Sequence, residues 1–564
     1  MSRQTNIQVS FDLAQAGQPI GNRFSNMSFW HYLGTTIDER TWHEWAEKKP
    51  RNWLADNYPW LKEMQIFIAT GGSYLGYPGV PGDDGQCEFN RDLFVNPADR
   101  TNLTDYDFRP LVRACRNMLY QGVKPCLKLH AVPIKYTSKP KIGWFRVNVR
   151  PPDDYEVYYN YLKACVDTLV RELGLDEVRS WRWFVMTEME NKDWWLAEDE
   201  SPETSKHEFL KMYDYSVATL EDSLGADHVK VGAHSMALND GLWDDRDVLT
   251  HCVRGTNYKR GTRGTRLDFF AVSYYDKTPG KPDASFDLPR FSDAVKNIRD
   301  RANELGLTGL PIEVSEGGLC FGTDGKWLWH GLCLGGCYDV TWTALSFKKM
   351  IDCDVTTWSR WPSTRTAGIF RGIETGTTNL LRLMWKMRDD SVVPLNVMNP
   401  HSDEDANTVH GVAGYNQATH TAHVLVFSHG KSLDTGGTDE TATLDLQHMA
   451  AATGSTATIK KWIIDEDHGD FWKQWVADRA ARGITDNDYK WSRDQICVQH
   501  ALKNQEHIDF WHSREDVYKA LSMLAAEPEV KVVPKGNAVT FKHALRPFSV
   551  VFYEIENVRP ASKE

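Results

Sequence analysis

The feature that most constrains this chain is a repeated alternation of two textures. Short apolar runs are followed by a polar loop and then by a longer stretch of helical period. Runs at 64–69, 126–131, 183–187, 228–233, 267–273, 310–315 and 355–358, with an earlier one at 29–33, predict about eight strands in some 380 residues. Helices are predicted between them at 154–173, 206–224, 288–305 and 379–387. Within 161–173, Leu162, Val166, Leu169, Val170 and Leu173 recur at three- and four-residue steps, which marks one buried helix face. Strands separated by crossover helices must run parallel, and eight of them can close into a (β/α)₈ TIM barrel. An open doubly wound sheet would usually carry a glycine-rich turn after an early strand. Gly71-Gly72 is only a pair, so the α/β barrel is the expected fold over residues 12–388.

After about residue 390 the pattern shortens. Runs at 408–415, 423–428, 442–446, 457–463, 530–533, 538–542 and 549–554 lie between turn-rich segments and predict an accessory β-sandwich over 389–564. The alternating Ile7-Gln-Val-Ser-Phe11 places a strand within residues 1–11 that can join it. A polar insertion of helices and loops is expected near 465–516, carrying Phe471, Trp472, Trp475, Tyr489 and Trp491.

Composition excludes several functions. The net charge of -12 comes with no long basic run, which argues against a nucleic-acid partner. No apolar run of about 18 residues exists, so no membrane partner is expected. The start lacks an apolar signal core, which makes a cytoplasmic location the default; a secreted or periplasmic protein stripped of its leader would read the same. The 10 Cys are scattered, and Cys333 and Cys337 have no second ligand pair. His401, His410, His420, His423 and His429 are too loosely spaced for a metal site, and no cofactor is expected. Neither a zinc-protease helix, a phosphate loop nor a serine-hydrolase elbow occurs. The 22 Trp point elsewhere, because a broad flat ring stacks well on the C–H faces of sugars.

In a parallel barrel the reactive groups gather at the C-terminal strand ends. Glu188 ends the fourth predicted strand and Glu316 the seventh. Two converging carboxyls suit glycosidic cleavage: the leaving oxygen needs a proton and the anomeric carbon an electron pair. Mutual repulsion helps keep one carboxyl protonated while the other is ionised. A gap of about 5–5.5 Å gives retention and about 6.5–9.5 Å inversion; spacing in sequence does not decide between them. Strand-end salt bridges or caps would use the same residues. Glu190 lies past the strand terminus, and the odd offset of Glu313 from Glu316 predicts that it faces the other way.

The chain resembles the clan A retaining glycosidases, and specifically glycoside hydrolase family 39, a group of β-xylosidases and related enzymes. Phe184-Val-Met-Thr-Glu188-Met is similar to the family strand ending in Asn-Glu-Pro, with Thr187 and Met189 replacing Asn and Pro. Ile312-Glu-Val-Ser-Glu316 resembles the nucleophile strand, Ile-x-x-Thr-Glu. Asp268-Phe-Phe-Ala-Val-Ser273-Tyr-Tyr275 keeps the frame of Asp-Phe-Ile-Ser-x-His-x-Tyr, with Ser273 in the His place. Trp462-Ile-Ile-Asp-Glu466-Asp-His468 and Arg546-Pro-Phe-Ser-Val-Val-Phe-Tyr-Glu554 resemble segments of the accessory sandwich.

The resemblance implies that Glu188 is the general acid/base and Glu316 the nucleophile. Substrate contacts are expected from Thr187, Tyr275, Trp358, His130, His234 and Trp183, with Tyr275 donating to Glu316 and Trp358 flooring the sugar site. The implied function is a retaining O-glycosyl hydrolase acting on an oligosaccharide or polysaccharide, β-xylosidase-like but with an altered −1 site. An α-L-arabinofuranosidase-type activity and a non-catalytic carbohydrate-binding protein are the alternatives. Sugar, linkage, exo or endo action and self-association into a homo-oligomer are left open.

Overall fold

The computed structural model describes residues 6–31, 36–37, 40–41, 46–72, 74–75, 88–90, 92–143, 145, 147–236, 241–277, 288–321, 336–361, 368–370, 372–398, 408–430, 440–485, 488 and 502–561. Strand β1 (Asn6–Asp12) precedes the barrel and takes no part in it. The next eight strands are β2 (Asn26–His31), β3 (Glu63–Ile68), β4 (Lys124–Leu129), β5 (Arg182–Val185), β6 (Val231–Ser235), β7 (Phe269–Lys277), β8 (Ile312–Phe321) and β9 (Val355–Arg360). They pair in parallel in chain order, and β9 returns to β2 with Arg360 opposite Met27, so the sheet closes. The (β/α)₈ architecture expected from the alternation is the one observed.

Helices follow the strands: α1 (Trp53–Asn57), α2 (Arg109–Tyr120), α3 (Tyr155–Leu173), α4 (Pro202–Leu224), α5 (Arg246–Arg254), α6 (Leu288–Glu304), α7 (Cys337–Asp352) and α8 (Gly376–Lys386). Local chemistry sets their ends. The Asp154 carboxylate accepts the N–H groups of Glu156 and Val157 at 2.8 and 3.3 Å and so caps α3. The sequence pattern does not reveal α7, and the reason is physical. Every residue from Tyr338 to Phe347 is buried, so the helix has no polar face to supply a period. It lies between the barrel and a β-sheet.

That sheet belongs to the second layer. Strands β10 (Ser391–Val393), β12 (Thr408–Asn416), β13 (Thr421–His429), β18 (Val550–Glu556), β15 (Ala457–Ile464) and β16 (Val530–Val532) form one sheet in this spatial order. The other sheet orders β11 (Leu395–Met398), β1, β14 (Glu440–Gln447) and β17 (Val539–Leu545). Ile7, Val9, Leu444, Val424 and Val551 share the core between the two sheets. Leu425, Phe427 and Phe552, on the opposite face of the larger sheet, belong to the barrel's own core. Burial on both faces leaves all nine residues of β13 inside. Between β15 and β16, helices α9 (Trp472–Ala481) and α10 (Gln505–Leu521) pack Phe471, Trp475, Trp511 and Tyr518 against Ile373. Tyr489, Trp491, His401 and Cys333 lie outside the described residues.

Candidate active site

Glu188 sits three residues beyond β5, and the chain turns sharply to put it there. Met186 and Glu188 have φ of 69° and 42°, a left-handed conformation that side-chain-bearing residues adopt at a cost of about 1–3 kcal/mol. The turn is held because the Met189 N–H donates to the His234 carbonyl at 3.0 Å and the Asn191 N–H to the Glu188 carbonyl at 2.8 Å. The Glu188 side chain is buried. Its Oε2 accepts from Asn191 Nδ2 at 2.8 Å and from Trp194 Nε1 at 3.1 Å, which spends one carboxyl oxygen and leaves the other clear of these donors.

Glu316 arrives from β8 through a bulge. Val272 pairs with Val314, but the next residue, Ser273, pairs with Glu316, so Ser315 is the extra residue. The bulge reverses the parity of the strand. Glu313 is fully buried in the barrel interior on Arg182, Ser315 bonds Gln65 inside the barrel, and Glu316 still turns inward. The odd offset of Glu313 therefore does not put it on the opposite face. Glu316 hydrogen-bonds both Glu188 and Tyr275. Burial, and then the Glu188 charge, push its carboxyl well above the usual range; Lys128 and the Tyr275 hydroxyl pull the other way. A hydrogen bond between two carboxyls requires that one of them carry a proton, since a carboxylate only accepts. Such a pair can deliver a proton and an electron pair to opposite ends of one bond.

The remaining expected residues divide into those the structure brings to this pair and those it does not. Thr187 is adjacent and fully buried, and its hydroxyl has no hydrogen-bond partner among the described residues. His130 directly follows β4, with its ring 5.3 Å from that of Trp194. Neither ring nitrogen finds a partner of ordinary hydrogen-bond length there, and burial lowers its pKa to about 3, keeping it neutral. Both are buried polar groups on the Glu188 side of the site. His234 differs. Its Nδ1 lies 2.8 Å from Lys128 Nζ and its Nε2 2.9 Å from Ser273 Oγ, so both nitrogens are spent.

Trp183 and Trp358 also differ from expectation, for one shared reason. Side chains alternate along a strand. On β5, Arg182 and Phe184 take the inner face, where Phe184 meets His234, and Trp183 turns outward to pack on Trp181. On β9, Trp358 packs on Phe291 of α6 and Trp342 of α7 with ring centroids 5.6 and 5.7 Å away. Both are fully buried in the layer between strands and helices and cannot touch a sugar. Three positions past Trp358, on the other parity, Trp361 stacks on the Phe67 ring at 5.0 Å. Counting the alternation from Trp358 would have found it.

Residues 92–311 match the model of glycosyl hydrolases family 39. This stretch of the chain is similar to that family. Among curated members it is 22% identical over 221 residues to a β-xylosidase of Geobacillus stearothermophilus, covering 37% of this chain but only 40% of that protein. The fold is similar along nearly the whole length to a family 39 enzyme from Xanthomonas axonopodis pv. citri, with a TM-score of 0.63, 14% identity and 99% and 98% of the two chains covered. A monomeric β-xylosidase from Caulobacter crescentus gives a TM-score of 0.62 at 14% identity, over 97% and 99% of the two chains.

Against the family 39 pattern, the Ser273 substitution acquires a structural meaning. Ser273 takes the place of the motif His, and His234 on the neighbouring strand fills the space and bonds it. Behind His234 stands Lys128, which sequence reasoning missed altogether. In Leu127-Lys-Leu-His130 it reads as the polar member of a half-exposed strand, yet it is fully buried with its ammonium 3.8 Å from the Phe67 ring centroid. Glu190 is also buried. It accepts from Ser235 Oγ and the Met236 N–H, both at 2.7 Å, and the same hydroxyl lies 2.5 Å from Asp245. Burial and the Asp245 charge push Glu190 up to about 8, so it is held as a neutral acid within its own network. Among the described residues, no group of three or more His, Cys, Asp or Glu has the geometry of a metal site.

Proposed function

We propose that this protein is a retaining glycosidase working by double displacement. The observation that carries the reading is the hydrogen-bonded pair of Glu188 and Glu316, brought from the fourth and seventh barrel strands to one point. Contact at this range fits the narrow carboxyl spacing of retaining enzymes, not the wider gap that leaves room for water. In the first step Glu316 attacks the anomeric carbon, the glycosidic C–O bond breaks, and the proton of Glu188 passes to the departing oxygen. In the second, Glu188 takes a proton from water, the water oxygen bonds the anomeric carbon, and the ester to Glu316 is released with net retention.

The substrate we propose is an oligosaccharide or polysaccharide bearing a xylose-like sugar at −1. Support comes from the β-xylosidase among its relatives and from the Thr187 hydroxyl next to Glu188, which has no hydrogen-bond partner among the described residues. Thr187 offers a single hydroxyl where the family pattern has an amide, so the sugar 2-hydroxyl meets a smaller partner.

A panel of 2-deoxy-2-fluoro glycosyl fluorides, followed by mapping of the labelled peptide, tests both the mechanism and the sugar. The expected label is on Glu316, with the xylosyl reagent among the fastest. Glu188→Ala is expected to lose about 10²–10⁴-fold on unactivated glycosides and to yield a glycosyl azide of retained configuration when azide is added. Label on another residue overturns the assignment, and sugar binding without turnover identifies a non-catalytic carbohydrate-binding protein.

A further inference from the structure

The carboxyl pair poses a problem that its own geometry does not solve. Double displacement needs the anion on Glu316 and the proton on Glu188, whereas burial favours the proton on Glu316. Glu188 also accepts two N–H bonds on one oxygen. A positive charge nearer to Glu316 would reverse this balance, and the barrel interior holds one.

Lys128 projects inward from β4, and its placement is over-determined. The ammonium lies 3.8 Å from the centroid of Phe67 and 5.0 Å from that of Phe184, and it donates to His234 Nδ1 at 2.8 Å. An ammonium only donates, so Nδ1 must accept; Nε2 then carries the ring proton and donates to Ser273 Oγ at 2.9 Å. Burial keeps His234 neutral, as this bond requires. Ser273 is the residue paired with Glu316 across β7 and β8, so the line from lysine to imidazole to hydroxyl ends beside the carboxyl.

We propose that Lys128 is a positioning residue that places the single negative charge of the carboxyl pair on Glu316, leaving the proton on Glu188. The inference rests on the assignment of Glu316 as nucleophile. Four groups that can carry negative charge act on Lys128, in the order Glu316, Cys126, Glu188 and Glu313, with Glu316 foremost; His234 and His130 are the neutral titratable groups close to it. Burial brings the ammonium down to about 7 despite these anions, so its charge is present at and below neutrality and fades above.

The test needs no substrate, which separates it from the mechanistic reading. With glutamate labelled at the carboxyl carbon, NMR follows the titration of Glu316 in the full-length protein, its signal assigned by its loss in Glu316→Gln. Lys128→Met keeps the volume and removes the charge, and the Glu316 midpoint is expected to rise by at least about one pH unit, a tenfold fall in its ionised fraction. Coupling is reciprocal. In Glu316→Gln, the midpoint of Lys128 followed by lysine side-chain NMR therefore falls by a similar amount, which answers the question should Lys128→Met not fold.

A merely structural lysine predicts the opposite stability result. Its folded-state pKa lies below the ordinary value near 10.5, so the unfolded chain binds a proton that the folded one refuses. Stability is therefore lost as pH falls toward 7, and Lys128→Met should melt no lower than the wild type at pH 6. A folded Lys128→Met whose Glu316 midpoint is unchanged overturns the inference, even with the label on Glu316. Label elsewhere overturns the reading beneath it instead.

Discussion

Trp194 joins two jobs in one side chain: its ring stacks on Phe145 at 4.5 Å, and its indole N–H reaches Glu188 Oε2 at 3.1 Å. Trp194→Phe keeps an aromatic ring there and removes only the donor. An ordinary hydrogen bond is worth about 0.5–1.5 kcal/mol, so kcat/KM on an aryl glycoside should fall roughly two- to tenfold with little change in melting temperature. A drop in stability with unchanged turnover would assign Trp194 to packing alone. At this scale the sequence was partly legible. Acidic residues directly after apolar strands drew attention to Glu188 and Glu316, and the structure brings these two together. Lys128 was hidden because an isolated lysine between leucines reads as a solvent-facing position, whereas the inner face of this barrel takes polar side chains among its aromatic ones. Trp358 was expected at the sugar site from its place in the predicted strand, without regard to the parity of its side chain.

The strands themselves are tied across the barrel by charge. Arg182 on β5 donates to Glu313 of β8 at 2.7 and 3.0 Å and to Glu63 of β3 at 3.0 Å, linking three strands through one guanidinium. Glu313 is fully buried, so removing the arginine strands a charge with no route to solvent. Arg182→Leu is expected to cost about 3–5 kcal/mol in denaturant unfolding, and a loss below 1 kcal/mol would show that the interior rearranges to pair the carboxylates otherwise. The eight strands were legible because each is a short apolar run between polar segments. The bulge in β8 was not, since no glycine or proline at 315 announces it, and it is what lets Glu313 and Glu316 face inward together. The wholly buried α7 escaped for the converse reason, having no polar face to set a period.

Across the whole molecule, the insertion is fastened to the barrel's last helix at Asp470. Its carboxyl accepts the Trp472 N–H at 2.6 Å and the Gly376 N–H at 3.0 Å, and a side chain on Gly376 would collide with it at 2.5 Å. Burial lifts this carboxyl to about 7 from an ordinary value of 3.8. Between those values the folded protein keeps a proton that the unfolded chain releases, so stability is lost as pH rises through that window. Asp470→Asn, which cannot titrate, should gain roughly 2–4 kcal/mol relative to wild type between pH 4 and pH 8. Parallel denaturation curves at the two pH values would rule this out. The change from long strand–helix units to short strands marked the second layer in the sequence. The packing of its larger sheet against the barrel was not legible, because burial on both faces shows only as an apolar run.

Strand β1 lies between β11 and β14, parallel to the latter, with Val9 opposite both Val397 and Leu444. This segment is synthesised before the barrel, yet finds its neighbours only after the barrel has been made. The barrel is free to fold during translation, while the sandwich must wait for its final strands. A protease nick in the connection between β1 and β2 would then leave the fragments associated, held by the ladder on both sides of β1.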